Sequence, residues 1–408
     1  MSRFEVHIDL GSTPVAMADV EVTERAGRVA RVDFTYRADY LNRPGRLALD
    51  PATDVTTAKW VSGALPRGLA DAGPDGWGRS LLLRANRDRP MTEVDLLLAV
   101  DDTSRMGALR LRTNPDGPWE ATSTSRIPAL IHLAELQQAA ADVEAGTAPD
   151  AAVQQLLGAG SGSLGGMRPK ASVITDTGRL AIAKFSSSHD QISVIGWEKL
   201  CLDLAARAGI TVPPNILLRI GERPVLVLER FDRTPDNQRV PYLSVFAITE
   251  AAEAASGDYA DIAEALTMTD VADLPGTLRQ LWRRAVFNVA VRNTDDHLRN
   301  HAILWKPGGW ELSPAFDITP NPVGGAARAT SIDGDNLARP ETQALRRLAE
   351  QFGIDRTEQD LILAAVLQAT NGWRLYAEQL RLPASDIRQL DRPLTEAHHN
   401  LANLAEQS

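Results

Sequence analysis

Apolar and polar residues alternate along the first part of the chain. Phe4-Glu5-Val6-His7-Ile8, Ala18-Asp19-Val20-Glu21-Val22 and Val29-Ala30-Arg31-Val32-Asp33-Phe34 each put apolar side chains on one face of a strand. Gly-containing turns separate these runs, so residues 3–37 are expected to form a small antiparallel sheet. Turn clusters at Ala64-Leu65-Pro66-Arg67-Gly68-Leu69 and Pro74-Asp75-Gly76-Trp77-Gly78-Arg79, followed by the helix-like Ser80-Leu81-Leu82-Leu83-Arg84, would cap it, and the turn-rich 113–118 stretch closes this part. No chemical constellation is visible here, so packing or partner contact is the expected role.

The period then changes. Leu130, Leu133, Leu136 and Val143 share a helix face within 128–157, with a second helix at 150–157. Two strands follow, 171–174 and 180–185, around Thr175-Asp176-Thr177-Gly178; an amphipathic helix over 195–209 ends at the cap glycine Gly209. A hairpin about Gly221-Glu222-Arg223-Pro224 joins 215–220 to 225–233. Beyond 245 the strand signal nearly stops. Helical patterns cover 246–255, 258–267, 276–292, 341–352, 357–370, 373–381 and 394–406, interrupted by one tight hairpin at 302–312.

At 408 residues the chain exceeds one core of typical size. Three parts are expected: 1–115 as an N-terminal subdomain, 116–245 as a β-rich lobe, and 246–408 as an all-helical lobe. Composition is that of an ordinary globular protein, 44% hydrophobic and 24% charged. A net charge of −10 disfavours broad nonspecific nucleic-acid binding without excluding a DNA-binding partner. With the single cysteine Cys201 no intrachain disulfide can form. The first residues lack an apolar signal core and no run of 18 apolar residues occurs, so no membrane association and a cytoplasmic location are expected.

Candidate chemistry concentrates in Asn293-Thr294-Asp295-Asp296-His297-Leu298-Arg299-Asn300 and, after the hairpin, Asp317. Mg²⁺ takes oxygen ligands and is commonly held by one or two carboxylates plus substrate phosphates. In phosphoryl transfer one Asp accepts the hydroxyl proton, while an Asn five residues on and a later Asp hold the metal; Asp295, Asn300 and Asp317 fit that role set. Upstream, Gly158-Ala159-Gly160-Ser161-Gly162-Ser163-Leu164-Gly165-Gly166-Met167-Arg168-Pro169-Lys170 carries five glycines in thirteen residues, and glycine lets backbone N–H groups approach a phosphate closely. It is not a Walker A loop, since no Gly-Lys-Ser/Thr follows four spacers. A Gly-rich loop, a strand, then a strand bearing Lys184 is the kinase arrangement for ATP phosphates. Only five of 43 basic residues are lysine, and two of the five, Lys170 and Lys184, fall in this unit. Glu198 either pairs with Lys184 or is a solvent-exposed first-turn acid, and backbone groups at Glu229, Arg230 and Phe231 could meet an adenine edge.

Ser163-Leu-Gly-Gly-Met-Arg-Pro-Lys170, Leu228-Glu-Arg-Phe-Asp-Arg233, Asn293-Thr-Asp-Asp-His-Leu-Arg-Asn300, the Asp317 stretch and Pro74-Asp-Gly-Trp-Gly78 together resemble the HipA family, serine/threonine kinases of bacterial toxin–antitoxin modules. The resemblance spans nearly the whole chain. It implies an α+β, bilobal protein-kinase-like (PI3/4-kinase-like) fold, with the subdomain on the β-rich N-lobe, a helical C-lobe, and a cleft between lobes. It implies ATP and Mg²⁺ as cofactors, Asp295 as catalytic aspartate, His297 as loop support, and Asn300 and Asp317 as metal ligands. Lys184 would be the ATP lysine, Gly165, Gly166, Met167, Arg168, Pro169 and Lys170 the phosphate-covering loop, and 229–231 the hinge. Ser163, seven residues before Lys170, falls at the family's autophosphorylated position, with Ser161 as the neighbouring choice. Added charge there should drive the loop out and abolish activity. Implied partners are a helix-turn-helix antitoxin of HipB type, through which operator DNA is bound, and a protein substrate such as an aminoacyl-tRNA synthetase, whose phosphorylation halts growth and gives persistence. A small-molecule phosphotransferase would use the same ATP constellation, and a silent corepressor scaffold would need it broken. Asp296 adds a negative charge beside the proposed base, an arrangement expected to raise the pKa of Asp295.

Overall fold

Strand pairing follows the alternation. In the computed structural model, which describes residues 1–11, 13–56, 58–122, 127–249, 251–337 and 340–406, the N-terminal strands Ser2–Asp9, Pro14–Arg25 and Arg28–Tyr36 form an antiparallel meander. Lys59–Ser62 and Leu109–Arg112 extend its two edges to make five strands. Val20, Val22, Val32 and Phe34 are buried on its inner face, as the period of two requires.

The chain divides into two compact units, residues 1–189 with 218–243, and 190–217 with 244–408. Beside the meander, the first unit holds a four-stranded sheet in the order Lys170–Ile174, Leu180–Phe185, Arg223–Glu229, Asn215–Ile220, with the chain entering the unit within the last of these strands. The helices Leu133–Glu144 and Asp150–Gly158 pack on it through Leu136, Leu133, Val153 and Leu156, against Val173, Phe185 and Val227. Trp77 and Leu81 of the Gly76–Ala85 helix join the same core. The residues expected to cap the first sheet thus serve the second sheet as well.

The second unit is built on the helix Leu274–Ala290, whose Leu281, Trp282, Val286 and Phe287 are fully buried. Trp282 donates its indole N–H to the carbonyl of Leu345 at 2.8 Å. The helix Val194–Arg207, which sequence reading assigns to the β-rich lobe, belongs here: Trp197 packs against Trp373, and the backbone N–H of Ser193, at its N-cap, bonds to Asp386. The unit is not all helical. It carries the expected hairpin, Ala302–Lys306 with Gly309–Leu312, and a two-residue parallel pair, Gly257–Asp258 with Thr330–Ser331. The last helix, Ala384–Glu406, starts ten residues earlier than expected and runs through Pro393. Leu390, Leu394, Ala397, Leu401 and Leu404 keep one buried stripe across the proline, and that packing outweighs its helix-breaking tendency. The expected 246–255 helix is a four-residue turn, Val245–Ile248; residue 250 lies outside the described residues. No described helix is long and apolar enough to cross a membrane.

Candidate active site in two halves

In the first unit the Gly-rich stretch leaves the Asp150–Gly158 helix, turns once as a 3-10 helix, Ser161–Ser163, and enters the strand at Lys170. Gly160 sits at φ +67°, and a Cβ there would lie 2.6 Å from the side chain of Ser104, so glycine is required twice over. The base of the loop is packed: Ser161 is 0% and Ser163 3% exposed, and the Ser163 hydroxyl donates to the carbonyl of Gly160 at 2.8 Å. The tip is open, with Gly165 exposed, Gly166 and Arg168 half-buried and Met167 80% exposed; Pro169 returns to the interior.

The Gly76–Ala85 helix presses on this loop. Trp77 N–H donates to the carbonyl of Gly166 at 2.9 Å. A Cβ on Gly76 would stand 2.4 Å from that same oxygen, and one on Gly78 would stand 2.7 Å from the oxygen of Gly162. Two backbones approach here as only glycine permits. Pro74-Asp75-Gly76-Trp77-Gly78 therefore seats the Gly-rich loop, a role that sequence reading missed although the closely spaced glycines at a helix start were the signal.

Lys170 and Lys184 are directly paired across neighbouring antiparallel strands and both are buried. Lys170 Nζ donates to the carbonyl of Gly165. The pair sets two ammonium groups side by side at the foot of the Gly-rich tip. The proposed hinge is tied down more tightly than expected. Arg230 N–H is taken by the carbonyl of Leu180 at 3.0 Å, and its buried guanidinium bonds Asp232 and the carbonyl of Ser104. Arg233 donates to the carbonyl of Arg105 at 2.8 Å, and Arg239 to that of Asp102. Burial pushes Arg105 down to about 10 and Arg233 to about 9. Burial alone would raise the Asp232 carboxyl, but Arg230 and Arg233 outweigh it and hold it far below the carboxylate range. Arg230 thus serves the fold by clamping residues 102–107. Glu229 accepts from Arg179 Nε at 3.3 Å and Phe231 stacks near Tyr242.

In the second unit the Leu274–Ala290 helix ends, Arg292 adopts φ +58°, and the catalytic stretch begins. Asn293 N–H bonds the carbonyl of Asn288 at 2.9 Å, and Ala329 N–H bonds that of Thr294 at 2.9 Å. Asn321 donates from its side chain to Thr294 Oγ1 at 2.7 Å, and Arg328 donates to the carbonyl of Asn293. Asp295 is exposed on this lattice. Asn300 Nδ2 donates to the carbonyl of Asp295 at 3.0 Å, which leaves its amide oxygen as the end able to meet a cation. His297 is half-buried, and its Nδ1 is buried without a hydrogen-bond partner. Asp317 is half-buried in the same unit at φ +60°, a left-handed conformation that Asp tolerates better than most residues.

Asp296 points inward. Its carboxylate accepts from the Tyr259 hydroxyl and lies 3.0 Å from His301 Nε2, a close contact without the alignment of a hydrogen bond. Burial alone would raise its pKa, but His301, Tyr259 and Arg328 outweigh that and hold it below the ordinary value. Burial, reinforced by the Asp296 charge, pushes Tyr259 well above 10. The charge expected beside Asp295 is thus engaged within the core. Tyr259, Asn288, His301 and Arg328 went unnoticed in the sequence because their partners are remote along the chain. Glu198 is 1% exposed on the Val194–Arg207 helix, which rules out the solvent-exposed acid.

Among the described residues no cluster of three His, Cys, Asp or Glu side chains suits a metal ion. The Asn300 amide oxygen and the Asp317 carboxylate are donors of the type Mg²⁺ takes, an ion that completes its shell from phosphates and water.

An N-terminal meander followed by a Gly-rich loop, Lys-bearing strands and the Asp295–Asn300 stretch is the order in which two family domains fall. Residues 15–112 match the HipA N-terminal domain and residues 162–373, more than half of the chain, match the HipA-like C-terminal domain. The chain belongs to the HipA family. It is 30% identical over 131 residues to Y4mE of Sinorhizobium fredii, a protein named as a kinase, covering 30% of this chain and 31% of that one. It is 25% identical over 187 residues to the serine/threonine-protein kinase toxin HipA of Shewanella oneidensis, covering 38% of this chain and 42% of that one. The chain thus spans less than half the length of these curated relatives. Its fold matches a chain in the Shewanella oneidensis structure of HipA, HipB and operator DNA with a TM-score of 0.69 at 15% identity, over 98% of this chain and 97% of the other.

Proposed function

We propose that this chain is an ATP-dependent serine/threonine protein kinase acting as the toxin of a toxin–antitoxin module. The observation that carries the reading is the bond from Asn300 Nδ2 to the carbonyl of Asp295, which sets an exposed carboxylate and a metal-competent amide oxygen in one rigid loop. Asp295 accepts the proton of the acceptor hydroxyl. Asn300 and Asp317 hold Mg²⁺, which when bound neutralises phosphate charge. Lys170 and Lys184 meet the phosphates of ATP beneath the Gly165–Gly166 tip, and the backbone at Glu229 and Phe231 meets the adenine.

The named Shewanella complex supports a HipB-type antitoxin as partner, with operator DNA bound through it. The family resemblance supports a translation factor, such as an aminoacyl-tRNA synthetase, as substrate. Ser163 is the self-modified residue in this reading. At 3% exposure its hydroxyl cannot carry a dianion in place, so phosphorylation expels the loop.

Intact mass after incubation with Mg·ATP tests this on wild type, Asp295→Gln and Ser163→Ala. One added phosphate in wild type and none in either variant is expected. No gain in wild type that starts unphosphorylated and still binds ATP would overturn the assignment.

A further inference from the structure

The second unit contains a cavity of about 870 Å³ that includes no residue assigned above to phosphoryl transfer. Arg292 lines it. This arginine is 5% exposed, yet its Nε has no hydrogen-bond partner, and Nη2 reaches the carbonyl of Val323 only at 3.5 Å. It also stands at φ +58°, where glycine is the easier residue. A guanidinium that lines the cavity, buried, with Nε unpaired and Nη2 weakly engaged, in a backbone conformation unfavourable to arginine, suits an oxyanion.

Around it the cavity supplies Thr342, Arg392, His399 and Asn400 as further donors, and the backbone of Gly324 and Gly325, where no atom crowds the Cβ position. One carboxylate is present as well: Glu396 accepts from Arg392 Nε at 2.6 Å. An anion entering here would share Arg392 with it. Two guanidiniums against one carboxylate suit a dianion better than a single negative charge. The volume is that of a small-molecule site rather than of one ion, so the anion arrives on a larger body.

We propose that this cavity binds a phosphate monoester, with the Arg292 guanidinium as its principal contact. Its source is either a phosphorylated side chain of a protein segment or a free phosphate compound. The site is coupled to the catalytic stretch, since the carbonyl of Arg292 accepts from Asn321 N–H at 2.9 Å and Asn321 holds Thr294. Binding itself does not depend on the kinase reading.

Calorimetric titration of the full chain separates the outcomes. The probes are a phosphoserine peptide, its unphosphorylated counterpart, O-phosphoserine and inorganic phosphate, each with and without a saturating non-hydrolysable ATP analogue. Saturable binding of the phosphopeptide that persists with the analogue is expected, weakened about tenfold or more by Arg292→Gln and Arg292→Gly. Arg292→Gly relieves the backbone conformation and Arg292→Gln retains it, so a loss common to both, at unchanged thermal midpoint, belongs to the guanidinium. Equal affinity for inorganic phosphate would assign the site to free phosphate compounds. Unchanged binding in Arg292→Gly, or no saturable binding in wild type at millimolar ligand, would overturn the proposal. Titration of the ATP analogue alone reports separately on the kinase reading.

Discussion

Around Gly166 the structure depends on side chains that are missing, those of Gly76 and Gly78, whereas around Asp296 it depends on several that act together. The Gly-rich loop is held by a backbone hydrogen bond from Trp77 and by glycines that let one main chain lie on another. The 293–300 stretch is held by a chain of side chains, with Asn288 donating to Tyr259, Tyr259 to Asp296, and His301 close to Asp296, and by Arg328, which donates to the carbonyl of Asn293. The difference suits the proposed roles. A loop that must leave its seat after phosphorylation is best held by a few contacts that break together, while a loop that presents a base and a metal ligand needs a fixed frame.

The largest effect expected from breaking this comparison is on the glycine seat. In Gly78→Ala the new methyl meets the oxygens of Gly162 at 2.7 Å and Ser161 at 2.9 Å, both backbone atoms that cannot swing away. The loop must shift. The dissociation constant for ATP should rise by about tenfold or more, with a smaller change in the turnover of bound nucleotide. Gly372→Ala, where no atom lies within 4 Å of the new methyl, is the control. Equal ATP affinity in Gly78→Ala and wild type would show that the helix does not position the loop.

An effect of comparable free energy, but on stability rather than on binding, is expected in the second unit. Tyr259→Phe removes the hydroxyl that donates to Asp296 and accepts from Asn288 Nδ2 at 3.1 Å, leaving two buried groups short of a partner. About 1–3 kcal/mol of stability should be lost in denaturant unfolding. Asp296→Asn should cost a similar amount, and the double variant less than the sum, because the two residues share one network. Strict additivity would mean that the network is not a unit.

How much of this was legible in the sequence differs between the same two regions. The strands and the hairpin at 302–312 were readable because burial on one face imposes a period of two, and the long helices because it imposes 3.6. The Asp295–Asn300 spacing was readable because its chemistry is local. The seat formed by Gly76 and Gly78 was not, since a glycine needed for close approach looks like any turn glycine until its neighbour is known. The inward turn of Asp296 was hidden for the same reason: Tyr259 lies 37 residues away, and nothing in the local pattern separates a buried acid from the exposed one beside it. Pro393 misled in the opposite direction, because the proline is a local signal and the stripe from Leu390 to Leu404 a tertiary one.

The smallest effect expected is on pH response, and it sharpens the contrast most directly. Asp296 is held below its ordinary pKa, so its contribution to stability is complete above the usual carboxylate range of about 4 and is lost as pH falls below that value. The Trp77 to Gly166 bond joins two groups that do not titrate. Amide exchange, expressed as protection relative to the unfolded chain, should therefore fall at Asn293 and Asn300 between pH about 5 and about 3, while that at Trp77 changes less. Asp296→Asn should flatten the first response and leave the second alone. If both regions lost protection in parallel and the variant behaved as wild type, acid would be acting on the whole fold, and the catalytic frame would owe nothing particular to its buried carboxylate.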